Sequence, residues 1–286
     1  MSTDQTARAA HPAGGGAAPL PLPSLLTLGL GRIGVELKGF FRNREAVVFS
    51  FSLQPLILLL FGAIFSGQIE GTGIDFRQYF VAGVTATGIL TVSFTSLAIG
   101  IAIEQDDGTL KRLAGTPMPE AAYFVGKLGM VLVVAVLQTV LLLAIGVVAF
   151  GLDLPGTPAR WLTLAWVFVL GATACSLTGI AYSRLPRNAR SASAVVTPPY
   201  LVLQFISGVF FVFTQLPEWL QTVAAVFPLK WMAQGLRSVF LPASFAASEP
   251  AGSWELDRVA LVLAAWCVAG FLLSMLLFRW RSRRDG

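Results

Sequence analysis

The stretch EQDDGTLKRLAGTPMP, Glu104 to Pro119, separates two long apolar runs. The run before it, Gln78 to Ile103, contains no Asp, Glu, Lys or Arg. The run after it, Ala121 to Phe150, contains a single charge, Lys127. A helix crosses a bilayer with about 20 predominantly apolar residues, and both runs exceed that. Working outward, further apolar runs lie at 46–66, 161–182, 192–213 and 259–278. With 78–103 and 122–150 they make six candidate spans.

Composition agrees. The chain has 286 residues, 55% hydrophobic and 12% charged, where a soluble domain carries about 25% charged residues. The mean hydropathy is +0.73. The expected fold is therefore an all-α integral membrane protein with six transmembrane helices. The net charge of +5 does not imply nucleic acid, because cytoplasmic loops of membrane proteins gather Lys and Arg.

The bases decide the orientation. Arg32, Lys38, Arg42 and Arg44 precede the first span. Lys111 and Arg112 lie in the opening stretch, Arg184, Arg187 and Arg190 in SRLPRNARS, and Arg279, Arg281, Arg283 and Arg284 in the tail RWRSRRDG. The alternate side holds Arg77, Arg160, Lys230, Arg237 and Arg258. This asymmetry predicts that both termini and the opening stretch are cytoplasmic, in a multi-pass protein of the cell membrane.

Residues 1–23 are rich in Ala, Gly and Pro and read as a disordered tail. They lack the basic start and apolar core of a signal peptide. Residues 24–286 form the membrane domain. His11 stands alone in the tail, and Cys175 and Cys267 sit inside apolar runs. No metal site or disulfide is expected from them.

Before the first span, Leu26, Leu30, Ile33, Leu37 and Phe40 recur at helical spacing, with Arg32, Glu36 and Lys38 largely off that stripe. The pattern predicts an N-terminal amphipathic helix lying in the cytoplasmic interface, rather than an extension of the first span. Between the fifth and sixth spans, PEWLQTVAAVFPLKWMAQGLRSVF is not an ordinary polar loop. Pro217 suits a helix start and Pro228 breaks the run. Each half is too short to span, so an outer re-entrant helical hairpin is expected. Trp219 lies in its first half. In its second half Lys230, Gln234 and Arg237 share one face, predicted to line the exit or meet headgroups. Leu229, Met232 and Leu236 share the other, predicted to pack on the fifth and sixth spans. The following LPASFAASEPAGSWELD reads as an ordinary exposed loop.

Self-powered transporters keep ionisable residues inside their spans. The spans here hold Gln54, Gln138, Gln204 and scattered Ser and Thr. No mid-span His or carboxylate offers a hydrolase site, and no G-x-x-x-x-G-K-[ST] loop holds nucleotide phosphates. Uphill movement would need another polypeptide to supply the energy.

That need bears on the opening stretch. Asp106, Asp107 and Thr109 suit the start of a short helix, and Lys111 and Arg112 suit its end. Gly108 allows a sharp turn, and Pro117 and Pro119 stop the helix. Leu110 and Leu113 fall on one face. A partner's groove could bury them, worth about 1.5–3 kcal/mol each; a tight solvated loop resting on the membrane fits the pattern equally.

A Glu-terminated span followed by GTLKRLAGTPMP resembles the "E…GTLERLLATP" signature of ABC-2 type export permeases, including the daunorubicin-resistance-like branch. LPEWLQTVAAVFPLKWMAQGLRSVFLP resembles that family's hairpin before the last span. The resemblance covers roughly 24–285. It implies a permease subunit that pairs with a second permease copy, as a homodimer. Two copies of an ATP-binding-cassette ATPase subunit then carry ATP and Mg, so this chain binds no cofactor and is no enzyme. Carried over, Glu104, Gly108, Thr109, Leu110, Arg112, Leu113, Thr116 and Pro117 match the coupling segment. Pro217, Trp219, Pro228, Lys230, Gln234 and Arg237 fall in the outer hairpin or gate. The family often has Glu where Lys111 stands. The uncharged span faces suit a hydrophobic or amphipathic cargo such as a drug, lipid or glycan-like compound. The rival readings are a non-transporting assembly or scaffold protein of permease-like fold, and a lipid-modifying enzyme, which lacks its catalytic constellation here.

Overall fold

The computed structural model describes residues 24–65 and 67–277. The expected tail 1–23 and the basic end RWRSRRDG lie outside them. Regular structure among the described residues is helical apart from one isolated bridge, Gln68 to Asp75. In chain order the helices are α1 Leu25–Arg42, α2 Arg44–Ile64, α3 Phe76–Leu90, α4 Leu97–Asp106 and α5 Thr109–Ala114. Then come α6 Glu120–Phe150, α7 Pro158–Tyr182, α8 Ala189–Ile206, α9 Glu218–Ala224, α10 Pro228–Phe240 and α11 Leu256–Leu277. A π-helical segment, Thr91–Ser96, joins α3 to α4 without a break.

Short polar residues start these helices by accepting the unpaired amides of the first turn. Ser24 accepts from Thr27 N, Asn43 from Ala46 N and Asp75 from Arg77 N. Asn188 and Ser191 form a reciprocal capping box at α8. Pro158 and Pro228 occupy the first turn of α7 and α10, where their missing N–H costs nothing. Gly151, in the left-handed region, closes α6.

Among the described residues five helices are long and apolar enough to cross a membrane, one fewer than the six expected: Arg44–Ile64, Phe76–Asp106, Glu120–Phe150, Pro158–Tyr182 and Leu256–Leu277. The difference lies in the expected span 192–213. Its helix, α8, has 18 residues and stops at Ile206. It carries Arg190 in its first turn and Pro198 and Pro199 inside, which dilute its hydropathy. Gly208, at φ 72°, turns the chain immediately afterwards.

The core forms around α3, whose residues Tyr79 to Leu90 are all buried. α2, α6, α7 and α10 pack on it, and α11 packs chiefly on α7. The outward faces of α2 and α11 stay apolar, with Val48, Phe49, Leu56, Ile64, Leu261, Val268, Leu272 and Leu276 exposed. Such a band suits lipid, since acyl chains are as apolar as Leu.

The amphipathic segment forms the expected helix α1, but its faces are divided differently. Leu26 and Leu30 point outward, 72% and 65% exposed. Ile33, Leu37 and Phe40 turn inward, and Arg32 and Glu36 turn inward with them. α1 lies against the first half of α6 because glycines line the contact: a Cβ on Gly29 would stand 2.8 Å from Val125 Cγ1. Gly126 faces Arg32 and Gly129 faces Ile33 in the same way. Small residues let helix backbones approach closely, so Gly29 serves packing at the expense of helix propensity.

The bundle has two distinct ends. At one, Asp106 Oδ2 accepts from Ala189 N at 3.0 Å, which joins the α4–α5 corner to the start of α8. A cleft of about 280 Å³ there is lined by Asp106, Lys111, Arg184, Arg187 and Asn188. This is the basic end. The other end gathers α9, α10 and the segments 207–217 and 241–255.

Candidate functional site

At the basic end the opening stretch forms α5, a helix of six residues. Gly108 precedes it at φ 77°, a left-handed conformation that side chains with a Cβ rarely adopt. Asp107 Oδ1 accepts from Thr109 N at 2.8 Å, and Thr116 Oγ1 donates to Leu113 O at 2.6 Å. Pro117 is exposed beyond it. The two leucines part company: Leu110 is 2% exposed and Leu113 half-buried. The chain therefore buries Leu110 itself and does not hold it out as half of an exposed pair. The face that α5 offers to solvent carries Lys111, Arg112 and Ala114.

Glu104 stands at the root of this corner, in the last turns of α4, and belongs to a ladder of charges. Lys127 Nζ donates to Glu104 Oε1 at 2.5 Å and to Glu36 Oε2 at 2.7 Å. Arg32 Nη2 pairs with Glu36 Oε1 at 2.5 Å. Tyr123 OH donates to Glu104 Oε2 at 2.7 Å. The ladder joins α1, α6 and α4. Sequence reading missed it because Glu36 and Lys127 lie 91 residues apart; the lone charge in the run Ala121–Phe150 was the available signal.

Midway along the bundle the neutral polar groups meet at the π segment. Gln54 Nε2 donates to Thr91 Oγ1 at 3.0 Å and to Tyr200 OH at 3.1 Å. Thr91 Oγ1 and Tyr200 OH lie 2.9 Å apart, and Gln204 also donates to Tyr200. α2, the π segment and α8 are thus pinned by hydrogen bonds where no water competes. The third glutamine, Gln138, donates to Ser50 O at 3.2 Å. π segments recur at functional sites, and this one places Thr91 within reach of two other helices.

At the far end two short helices occupy the stretch of the expected hairpin, α9 beginning after Pro217 and α10 at Pro228. Trp219 is exposed on α9. The orientation of α10 differs from expectation. Lys230, Gln234 and Arg237 are 3%, 0% and 0% exposed, so the polar face points into the protomer. Lys230 Nζ lies 3.5 Å from the centroid of Trp231, 5.3 Å from that of Phe213, and donates to Gln234 Oε1 at 2.5 Å. Gln234 Nε2 donates to Trp254 O at 2.8 Å. Arg237 meets Tyr79 OH, Gly208 O at 3.4 Å and, through Nε, Glu249 Oε1 at 3.3 Å. Burial lowers the Lys230 ammonium from its ordinary 10.5 to about 8, although Glu249 and Glu255 oppose the shift. The apolar face packs on α7 and α11: Met232 fills the space above Gly171, and Gly235 faces Val167 and Val259. α7 is the expected fourth span, so the predicted seat on the fifth and sixth spans is half right.

The stretch 241–255 is not the ordinary exposed loop expected. Leu241, Phe245 and Glu249 are buried, and Trp254 stacks on Phe245 with centroids 6.1 Å apart. This segment folds back as a lid over the polar face of α10, which explains why that face is dry.

The profile of the ABC-2 type transporter family matches residues 33–241. Among curated proteins, the chain is similar to "Inner membrane transport permease YadH" of Escherichia coli (strain K12). Identity is 24% over 234 residues, covering 82% of this chain and 85% of that protein. It is also similar to "Daunorubicin resistance ABC transporter permease protein DrrB1" of Streptomyces coeruleorubidus. There identity is 26% over 245 residues, covering 84% of this chain and 82% of that one. The matched span runs from α1 through α10, so it includes both the capped α5 corner and the hairpin. With five apolar helices and a family match over most of its length, this multi-pass membrane protein belongs to the ABC-2 type transporter family.

Proposed function

We propose that the chain is the permease subunit of an ATP-binding-cassette exporter, moving a hydrophobic or amphipathic compound outward with ATP hydrolysed by a separate subunit. The observation that carries this reading is α5, a short helix seated through the buried Leu110 at the basic end of a family member. A six-residue helix is not stable alone, so the bundle's investment in Leu110, Gly108 and Asp107 argues for a docking role. Lys111 and Arg112 face outward for that purpose. Two ATPase subunits and two permease copies complete the complex in this reading. The relative named for daunorubicin resistance supports a drug-like or lipid-like cargo. In the same reading α8 also crosses, as the fifth span in chain order, which completes six: at about 1.5 Å per residue its 18 residues reach about 27 Å, close to the hydrocarbon thickness.

The direct test is export. Liposomes holding this chain and its ATPase subunit are expected to accumulate an anthracycline or fluorescent lipid only with ATP. A non-transporting scaffold of permease-like fold would bind partners yet move nothing, and failure across the cargo panel would favour it. Orientation is tested separately, in a chain lacking Cys175 and Cys267. Single cysteines at Asp107, Ser191 and Ser282 should escape an impermeant thiol reagent outside cells, while those at Gly71, Gly156 and Ser248 should react. Labelling at 107 with none at 248 would reverse the topology.

A further inference from the structure

Lys127 has no part in the coupling face or the hairpin, yet it stands inside the apolar helix α6 with a side chain 5% exposed. An ammonium in such a place is costly unless paired. Two carboxylates pair it, and each carboxylate has its own second partner. Glu36 is shared with Arg32, and Glu104 with Tyr123. The Arg32 guanidinium and the Lys127 ammonium both lie over the Tyr123 ring, 5.6 and 5.5 Å from its centroid. Two bases and two acids sum to zero, so the ladder carries no net charge at the bundle's edge. Its rungs sit on three helices. Arg32 and Glu36 belong to α1, Tyr123 and Lys127 to α6, and Glu104 to the last turns of α4, just before Gly108.

We propose that Lys127 is a positioning residue that clamps α1 and α6 to the root of α5, so that displacement of α5 by the ATPase subunit carries the N-terminal helix with it. The coupling half of this rests on the function proposed above; the clamp itself does not. The geometry favours a clamp over simple packing glue. α1 otherwise meets α6 through glycines and apolar contacts, which allow helices to slide. Directional ion pairs resist sliding, because the Lys127–Glu36 contact at 2.7 Å between α6 and α1 and the Lys127–Glu104 contact at 2.5 Å between α6 and α4 are lost by a small shift. Leu110, buried, and Gly108, in its left-handed turn, make α5 and the end of α4 a single lever.

The test uses the full chain, alone and with its ATPase subunit in liposomes. Glu36→Gln removes the α1 rung and leaves Lys127 paired to Glu104. Lys127→Met removes the node, and Lys127→Arg keeps its charge. In the chain alone, Glu36→Gln should speed amide hydrogen exchange across residues 28–40 roughly tenfold. Lys127→Met should extend the effect to residues 104–114. In the complex, both should lower export per ATP hydrolysed about fivefold or more, and Lys127→Arg should restore most of it. Faster exchange with unchanged export per ATP would make the ladder a structural fastening only and overturn the coupling role. Unchanged exchange would overturn the clamp. If Lys127→Met fails to accumulate in membranes, Glu36→Gln alone decides both points. A wild-type complex with no ATP-dependent export would remove the proposed function, and the coupling role with it, while the exchange result would still decide the clamp.

Discussion

Glu249→Ala is expected to unseat the hairpin end of the molecule, at a cost of roughly 3–5 kcal/mol. Arg237 is fully buried, and Glu249 is its charge partner, 3% exposed, at 3.3 Å. Removing the carboxylate leaves a guanidinium that water cannot reach, and an uncompensated buried charge is the costly case. Tyr79 cannot compensate. It is neutral, and its hydroxyl already accepts from Arg237 and from Phe213 N at 3.1 Å while donating to Gly208 O at 3.0 Å. Loss of the lid 241–255 should follow, because Phe245 packs on Tyr79 and on Trp254, whose carbonyl accepts from Gln234 beside Arg237 on α10. The measurement is the melting temperature of the purified protein in detergent, with a drop of roughly 10 °C expected. The decisive control is the double replacement Arg237→Met with Glu249→Met. Exchanging a buried pair for apolar residues of similar volume is often neutral or stabilising, and Tyr79 keeps its backbone partners. The double variant should therefore recover most of the loss. A double variant as unstable as the single one would show that the ion pair is not what holds the lid.

That pair also marks where sequence reading stops. The apolar runs gave five of the spans to within three residues at either end, since that signal is local, and missed the stop of α8 at Ile206. The stripe Lys230, Gln234 and Arg237 was equally legible as a stripe. Its direction was not, because direction depends on which surface is drier. Tyr79 and Glu249 supply partners inside the protomer from 158 residues upstream and from a loop that reads as solvated. Leu241, Phe245 and Trp254 were the overlooked signal: three large apolar side chains in one short stretch need something to cover. The same holds for α1. Its leucines suggested a membrane-facing stripe, but Gly29 on α1 with Gly126 and Gly129 on α6 set the packed face, and Glu36 found Lys127 there. At α5 the pattern fitted a short helix after a glycine turn and a tight solvated loop equally, and the chain forms a helix of six residues there. The fate of Leu110 depended on a tertiary seat that spacing alone does not reveal.

That seat separates two ways of breaking the α5 corner. Leu110→Ala removes a buried side chain at a cost of about 2–5 kcal/mol in a core site. Against a helix of six residues, which has little stability of its own, that loss should melt α5. The paired reversal Lys111→Glu with Arg112→Glu does something else. Both residues are exposed and Leu110 keeps its seat, so the helix should persist, weakened by the lost Arg112 Nη2–Asp107 O bond at 3.3 Å and by acids at its C-terminal end. The reversal instead presents acids where the proposed ATPase contact meets bases. Losing charge pairs across an interface costs about 2–5 kcal/mol when they are desolvated, which is at least tenfold in affinity. Both variants should abolish ATP-driven export, and two further readings tell them apart. Leu110→Ala should raise hydrogen exchange of the α5 amides in the permease alone. The charge reversal should raise exchange far less than Leu110→Ala while weakening capture of the ATPase subunit in pull-down, more at low salt than at high salt, because screening removes the like-charge repulsion as well as the attraction. Replacing the facing acids of the ATPase subunit by bases should then restore binding, which identifies the matching surface. Export at wild-type rate by both variants would mean that this corner does not carry the power stroke, and the role assigned to α5 would have to move to another cytoplasmic turn.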